Sequence, residues 1–395
     1  MLLRTPIDST TIILRGHKSK HLEQRQRQLH LNNTAKKALY IDTDVTLFDK
    51  NIEYLIGTTK VPLGVIGPLK INGDATQERH MIPLSTTESA LLASYHRGTQ
   101  LISKEGGCSA KVLEQGISRV PAFCLKDMDD TLRLKAWIER QSFRDLVNSS
   151  SGYVELLSIT TKTEANTLYL VCEYTTSEAA GQNMVTLATQ QIFEEIIQHA
   201  EVEIVYAFVE SNLSGDKKAS ASSLYSHRGK KVSAEIVLSG ENIERYLHTD
   251  ARTMQKYWQI SAIAGVMSGS VGIQGHYANG LAALYLATGQ DIACVAESAI
   301  GITRFELCGE DLTDLYVSVT LPNVILGTVG GGTKLPSQAA ALEILELPEQ
   351  NSTQAFAEIT AGLILAGEIS IIGSLCANDF TKAHTKRSRE KKETL

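Results

Sequence analysis

The sequence predicts an α+β, multidomain fold with three parts: a helical N-terminal segment, a large α/β domain, and a small ferredoxin-like domain inserted into it. Three observations carry this. Residues 120–209 read as strand, helix, two alternating strands, helix and strand, the βαββαβ order of a ferredoxin-like unit. The 395 residues exceed what one core usually holds and suit about two or three domains. Beyond residue 210, strand signals at Val232–Leu238 and near Leu315–Leu321 alternate with long stretches of small, apolar helix formers.

In chain order, residues 1–53 form a polar arm and a helix through His21–Leu29, whose basic residues suit a surface helix packed on the body or a partner. Residues 54–119 begin the large domain. Within them Gly57–Leu69 interleaves glycine and proline with Val, Leu and Ile, the pattern of a structured loop over a core. Residues 120–209 are the inserted unit. They comprise a strand at Val120–Leu125, one helix over Asp129–Leu146, a hairpin of Tyr153–Thr160 and Thr167–Tyr174 around a polar turn, a helix at Asn183–His199 and a strand at Val202–Val209. Residues 210–378 continue the large domain with the loop Ser211–Lys231, the strands named above, a glycine loop at 327–333 and helices from Ser337 to Ala377. The uncharged run Tyr257–Gln290 carries six glycines and His276, which predicts close-packed buried helices rather than a membrane span. Residues 379–395 form a charged tail with no apolar anchor before Leu395.

Composition narrows the function classes. With 38 basic and 44 acidic residues and a net charge of −6, the chain has no global attraction for nucleic acid or an anionic membrane. Its six scattered cysteines contain no Cys-x-x-Cys pair, which argues against zinc and a disulfide scaffold and for a reducing, cytoplasmic location. The N-terminus has no apolar run of signal-peptide length before Arg15–Lys20.

Four short segments supply the chemistry of a reductive enzyme: a cation for a developing oxyanion, carboxyls that move protons and an imidazole to protonate a leaving group. They are Leu84-Ser-Thr-Thr-Glu-Ser with Glu88, Gly215-Asp-Lys-Lys with Lys217, Gly289-Gln-Asp with Asp291, and Thr381-Lys-Ala-His with His384. Each has a plain alternative: Glu88 as the third position of a capping box, Lys217 as part of a solvated basic loop that continues to His227-Arg-Gly-Lys-Lys, Asp291 as a helix cap, His384 as an exposed titrating side chain. Glu178-Ala-Ala-Gly-Gln-Asn-Met184 joins a strand to a helix, where free N–H groups could receive a phosphate. Gly327-Thr-Val-Gly-Gly-Gly-Thr333 lacks the Rossmann spacing, yet its three adjacent glycines permit close approach to a pyrophosphate.

Together and in this order, from about Glu53 to Arg387, these motifs resemble the 3-hydroxy-3-methylglutaryl-coenzyme A (HMG-CoA) reductase family. The resemblance implies reduction of HMG-CoA to mevalonate and CoA by two nicotinamide hydrides, with no metal. It implies catalytic Glu88, Lys217, Asp291 and His384. It places the cofactor, NADPH with NADH possible, on Ser151, Glu178, Ala180, Gly181, Gln182, Asn183, Met184, Gly330 and Gly331 of the small domain and glycine loop. It places substrate on Arg119, Asp216, Lys218, Lys256 and Asn279 of the large domain. It further implies a form without a membrane domain, of bacterial or archaeal type, assembled as a homodimer or higher homo-oligomer with shared active sites.

Three positions depart from the family pattern. Glu178 stands where Asp is usual, and Glu210 where a serine near the substrate carboxylate is expected, which leaves a related thioester as an alternative substrate. Gly152 replaces an arginine that grips the 2′-phosphate; Arg140, Arg144 or Lys162 of the same small domain could substitute if the fold brings them near the adenosine end.

Overall fold

The computed structural model describes residues 21–148 and 152–377; Ser151, His384 and the tail 379–395 lie outside the described residues. The chain runs through α1 (Leu22–Gln28), α2 (Asn33–Ala38), β1 (Leu63–Gly73), β2 (Arg79–Ser85), α3 (Leu91–Lys104), β3 (Cys108–Arg119), β4 (Ala122–Leu125), α4 (Met128–Ile138), α5 (Phe143–Asn148), β5 (Val154–Glu164), β6 (Thr167–Thr176), α6 (Gln182–His199) and β7 (Ile204–Phe208). It continues through β8 (Gly229–Leu238), α7 (Gly240–Leu247), α8 (Ala251–Ser268), α9 (Tyr277–Thr288), α10 (Val295–Ser298), β9 (Ile302–Cys308), β10 (Asp314–Val324), α11 (Pro336–Ile344) and α12 (Ser352–Cys376).

The βαββαβ unit folds as its pattern dictates. Its strands lie in the order β7-β4-β6-β5, all antiparallel, the ferredoxin-like arrangement, over a core that includes Phe123, Leu134, Leu168, Leu170, Ile192 and Ile196. The expected helix over 129–146 is two helices. Its inward residues are spaced Leu134, Ile138, Phe143, Val147, a slip of one residue that a continuous helix could not accommodate. The turn between α4 and α5 restores alignment and brings Trp137 against Phe143.

β3 joins this unit to the rest. Ile117–Arg119 pair with β6 on the edge that β4 also uses, while Ser109–Gly116 pair with β8, and β8 leads on to β10 and β9. β1 runs parallel to β3 and antiparallel to β2. The Gly57–Leu69 stretch is therefore strand from Leu63 on, not loop: Gly67 and Pro68 fall within a bulge of the β1–β2 ladder, where a missing N–H is tolerated.

α12 passes through the centre, packed against α3, β8, β3, β10 and α9. It is long and apolar enough to cross a membrane by composition, yet it is buried inside the protein. Its two carboxylates have fixed employment. Glu358 accepts hydrogen bonds from the backbone N–H groups of Asp74, Ala75 and Thr76 in the β1–β2 turn. Glu368 accepts from Gly275 N, His276 N and Thr303 Oγ1 at 2.7–2.8 Å. α3 crosses α12 at Gly98, where a Cβ would lie 2.0 Å from the Ala366 carbonyl oxygen. The Tyr257–Gln290 run is only half as expected: α9 is buried, but α8 leaves Ile260, Ile263, Val266 and Met267 exposed, the last at 82 %.

Candidate active site

The loop between β7 and β8 brings Lys217 to the surface in a left-handed conformation, φ +56°, held from below by a buried ionic network. Arg228, almost fully buried, grips both oxygens of the buried Glu297 at 2.7 and 2.6 Å and lies 3.0 Å from Asp216 Oδ1. Glu297 Oε1 also accepts the Lys217 backbone N–H at 3.1 Å. Arg119 reaches Asp216 Oδ2 at 2.9 Å and Thr186 Oγ1 at 2.8 Å. Burial works to raise the Asp216 carboxyl, but Arg228 and Arg119 outweigh it and hold it below the ordinary range. Lys217 Nζ then meets Asp291 Oδ2 at 2.7 Å, with the two side chains 40 % and 45 % exposed. That hydrogen bond raises the Lys217 pKa, so the ammonium stays charged at neutral pH.

Asp291 does both things open to it, since its Oδ1 also accepts from Ala293 N at the start of a short 3-10 turn. Glu210 uses its carboxylate on Asn212 N, Ser214 Oγ and the Val120 N–H, with Arg119 at 3.7 Å. It organises the loop.

The two glycine-bearing segments meet beside this pair. Ala179 and Val329 form a parallel bridge, and Thr328 N donates to the Glu178 carbonyl at 2.9 Å. Gln290 clamps Gly327 from both sides, accepting from its N–H at 2.8 Å and donating to its carbonyl at 3.0 Å. Gly289, φ +72°, rests so close to Gly332 that a Cβ would sit 2.4 Å from the Gly332 oxygen. The Arg119 guanidinium touches the Gln182 carbonyl, and Gln182 Nε2 donates to Cys294 Sγ at 2.9 Å. Burial pushes that thiol up to about 12, so it is neutral beside Lys217.

The Glu178 side chain reaches α12, whose Ser352 Oγ also meets Thr328 Oγ1 at 2.7 Å. Its Oε2 accepts Thr353 N at 2.7 Å and Ser352 Oγ at 2.8 Å, so it caps the N-terminus of α12. A cavity of about 470 Å³ opens beside it, lined by Gly152, Lys230, Asn351 and Thr353 among others. None of Arg140, Arg144 and Lys162 lines it. Arg144 instead donates to the Leu157 carbonyl above a separate cavity, and Lys162 lies towards the far end of the β5–β6 hairpin.

Glu88 and Asn279 belong to a second cluster. Glu88 is not a capping-box residue: its own N–H donates to Thr86 Oγ1, and α3 starts three residues later behind the left-handed Ala90. Its charge acts on Tyr95, whose hydroxyl donates to the His276 carbonyl, the same carbonyl that accepts from Asn279 N. Lys256 stands exposed on α8, and Lys218 folds back on the Asp216 carbonyl. The groups acting most on Lys217 are Asp291, Cys294 and Asp216; Glu88 is not among them.

Arg228, Glu297 and Gln290 organise the site, and the sequence did not single them out, nor the buried Lys230. Arg228 and Lys230 stood in view in His227-Arg-Gly-Lys-Lys and Gln290 in Gly289-Gln-Asp; Glu297, beyond the end of that motif, carried no signal. Among the described residues no group of three or more His, Cys, Asp or Glu could hold a metal ion.

Comparisons with known proteins point to one family. The profile described as hydroxymethylglutaryl-coenzyme A reductase matches residues 18–389. The 3-hydroxy-3-methylglutaryl-coenzyme A reductase of Methanocaldococcus jannaschii is 38 % identical over 357 residues, 88 % of this chain and 87 % of that one. The enzyme of the same name from Aeropyrum pernix is 37 % identical over 346 residues, 86 % of this chain and 82 % of its own. The class II reductase of Streptococcus pneumoniae, solved bound to NADPH in open conformations, superposes with a TM-score of 0.67 at 18 % identity, covering 90 % of this chain and 96 % of that one; it shares the fold. With its reductive charge set and these relatives over most of its length, the chain belongs to the hydroxymethylglutaryl-coenzyme A reductase family.

Proposed function

We propose that this chain reduces the thioester of HMG-CoA to mevalonate and free CoA at the expense of two nicotinamide cofactors, accepting NADPH in preference to NADH, and that it works in the cytoplasm as a homodimer or larger homo-oligomer. The observation that carries the reading is the Lys217–Asp291 pair at 2.7 Å, placed where the segments 178–184 and 327–333 join. A dinucleotide fits the residues present: glycines at closest backbone approach, a polar cavity of about 470 Å³ and a buried cation in its wall. When bound, the nicotinamide supplies the hydride.

The chain's own groups do the rest. The Lys217 ammonium, fixed by Asp291 and by its backbone bond to Glu297, holds the oxyanion that develops on the thioester carbonyl oxygen; such a contact is worth roughly 3 kcal/mol. Glu88 protonates the aldehyde oxygen in the second reduction, and His384 protonates the departing thiolate so that it cannot add back. Lys218, Lys256 and Asn279 would hold the substrate.

Glu88, Asn279 and Lys256 come from a different part of the molecule than Lys217, and α8 supplies a reason. Lys256, Ile260, Ile263 and Met267 recur at helical spacing on one face, three of them large exposed apolar residues. A second copy packed on that face would shield the apolar stripe and bring Lys256 into a site shared between subunits. The test is oxidation of NADPH on addition of HMG-CoA, with and without Lys217→Ala. The reading requires substrate-dependent oxidation that falls at least a hundredfold in the variant while its circular dichroism is unchanged; activity within a few-fold of wild type would remove Lys217 from the mechanism.

A further inference from the structure

Four basic residues stand in the run His227-Arg-Gly-Lys-Lys, and three have carboxylate partners. His227 meets Glu114 at 2.9 Å and Glu173 at 3.4 Å, Arg228 meets Glu297 and Asp216, and Lys231 meets Glu114 at 2.7 Å. Among the described residues Lys230 has no ion pair within 4.0 Å and no hydrogen bond to its ammonium, although only 8 % of it is exposed. Its place in β8 explains the burial. The alternation that turns Val232, Ala234, Ile236 and Leu238 inward puts Lys230 on the same inner face. A lysine there costs free energy unless something pairs with it. The Glu178 charge acts on it, but that carboxylate is occupied by α12. Burial accordingly pulls the lysine below its ordinary pKa.

Lys230 lines the cavity of about 470 Å³ together with Gly152, the carboxylates Glu155 and Glu178, and Asn351 and Thr353 at the N-terminus of the 25-residue helix α12. The first turn of that helix is already capped by Glu178, so the group left without a counter-ion is the buried Lys230 ammonium, and a phosphate would supply one. We propose that Lys230 is a cofactor-binding residue that pairs with a phosphate of the nicotinamide dinucleotide, taking the part for which Gly152 offers no side chain. The assignment rests on the cofactor reading given above and adds the residue that sets the affinity.

The test is equilibrium binding of NADPH and of NADH, followed by the fluorescence of the reduced nicotinamide, to the full chain and to Lys230→Met. Methionine suits the inner face of β8, so the variant should melt at or above the wild-type temperature; Lys230→Gln serves if it does not. NADPH should bind about tenfold to a hundredfold more weakly to the variant. A loss confined to NADPH identifies the 2′-phosphate, and equal losses for both cofactors identify the pyrophosphate. Unchanged affinity for both overturns the assignment while leaving the reductase reading intact, whereas a wild-type chain that binds neither cofactor overturns both.

Discussion

Glu297 shows how much of the site rests on a side chain that takes no part in the chemistry. It neutralises Arg228, which anchors Asp216, and it accepts the backbone N–H of Lys217. Glu297→Gln would leave the buried guanidinium with Asp216 alone, and breaking a buried ion pair costs about 3 kcal/mol or more. Urea unfolding should show that loss; a change under about 1 kcal/mol would mean that the network tolerates a neutral partner. Asp216 makes the complementary prediction about pH. Its folded pKa lies below the unfolded value near 3.8, so its stabilisation is complete above that value and disappears as pH falls through the lower, folded one. Asp216→Asn should therefore be less stable than wild type at neutral pH, and the two should converge in acid. A stability difference that stays constant down the pH scale would contradict this.

Elements differed in how well the sequence announced them, for physical reasons. β6 alternates along its length because one face is buried, while β5 alternates only at its start and slips at a bulge after Leu156; this patterning, with the helices on either side of the hairpin, made the ferredoxin-like unit legible. β1 was hidden because the glycine and proline that suggest a loop sit in a bulge, whereas α12 was foreseen as helix within Ser337–Ala377 although, buried all round, it has no polar face to set its period. Lys217 and Asp291 were found by motif and do meet, but the use of Glu178 was not legible: its partners Ser352 and Thr353 lie 174 and 175 residues away. Because that carboxylate ties the cofactor segment to α12, Glu178→Ala should cost about 1–2 kcal/mol of stability and raise the cofactor KM more than it lowers kcat. An unchanged KM would show the cap to be structural only. The tail carries a separate expectation: His384→Gln should impair reduction of the thioester far more than reduction of free mevaldehyde, since only the former expels a thiolate. Equal losses on both substrates would remove the histidine from that role.

For the whole molecule, two half-sites and an unshielded apolar face on α8 lead to one assembly prediction. If a second copy completes the site, Lys217→Ala and Glu88→Gln lie in different halves. Subunits of the two inactive variants, dissociated and reassembled together, should recover roughly a quarter of wild-type activity, from random pairing of subunits within a C2 dimer; no recovery would mean that each chain carries a complete site. The central claim is that one enzyme carries the thioester through both reductions. It is tested most directly by counting cofactor oxidised against CoA thiol released in a single reaction with HMG-CoA. Two cofactors consumed for each thiol, with mevalonate as product, is the predicted result. One cofactor per thiol with release of an aldehyde, or no consumption at all, would contradict it.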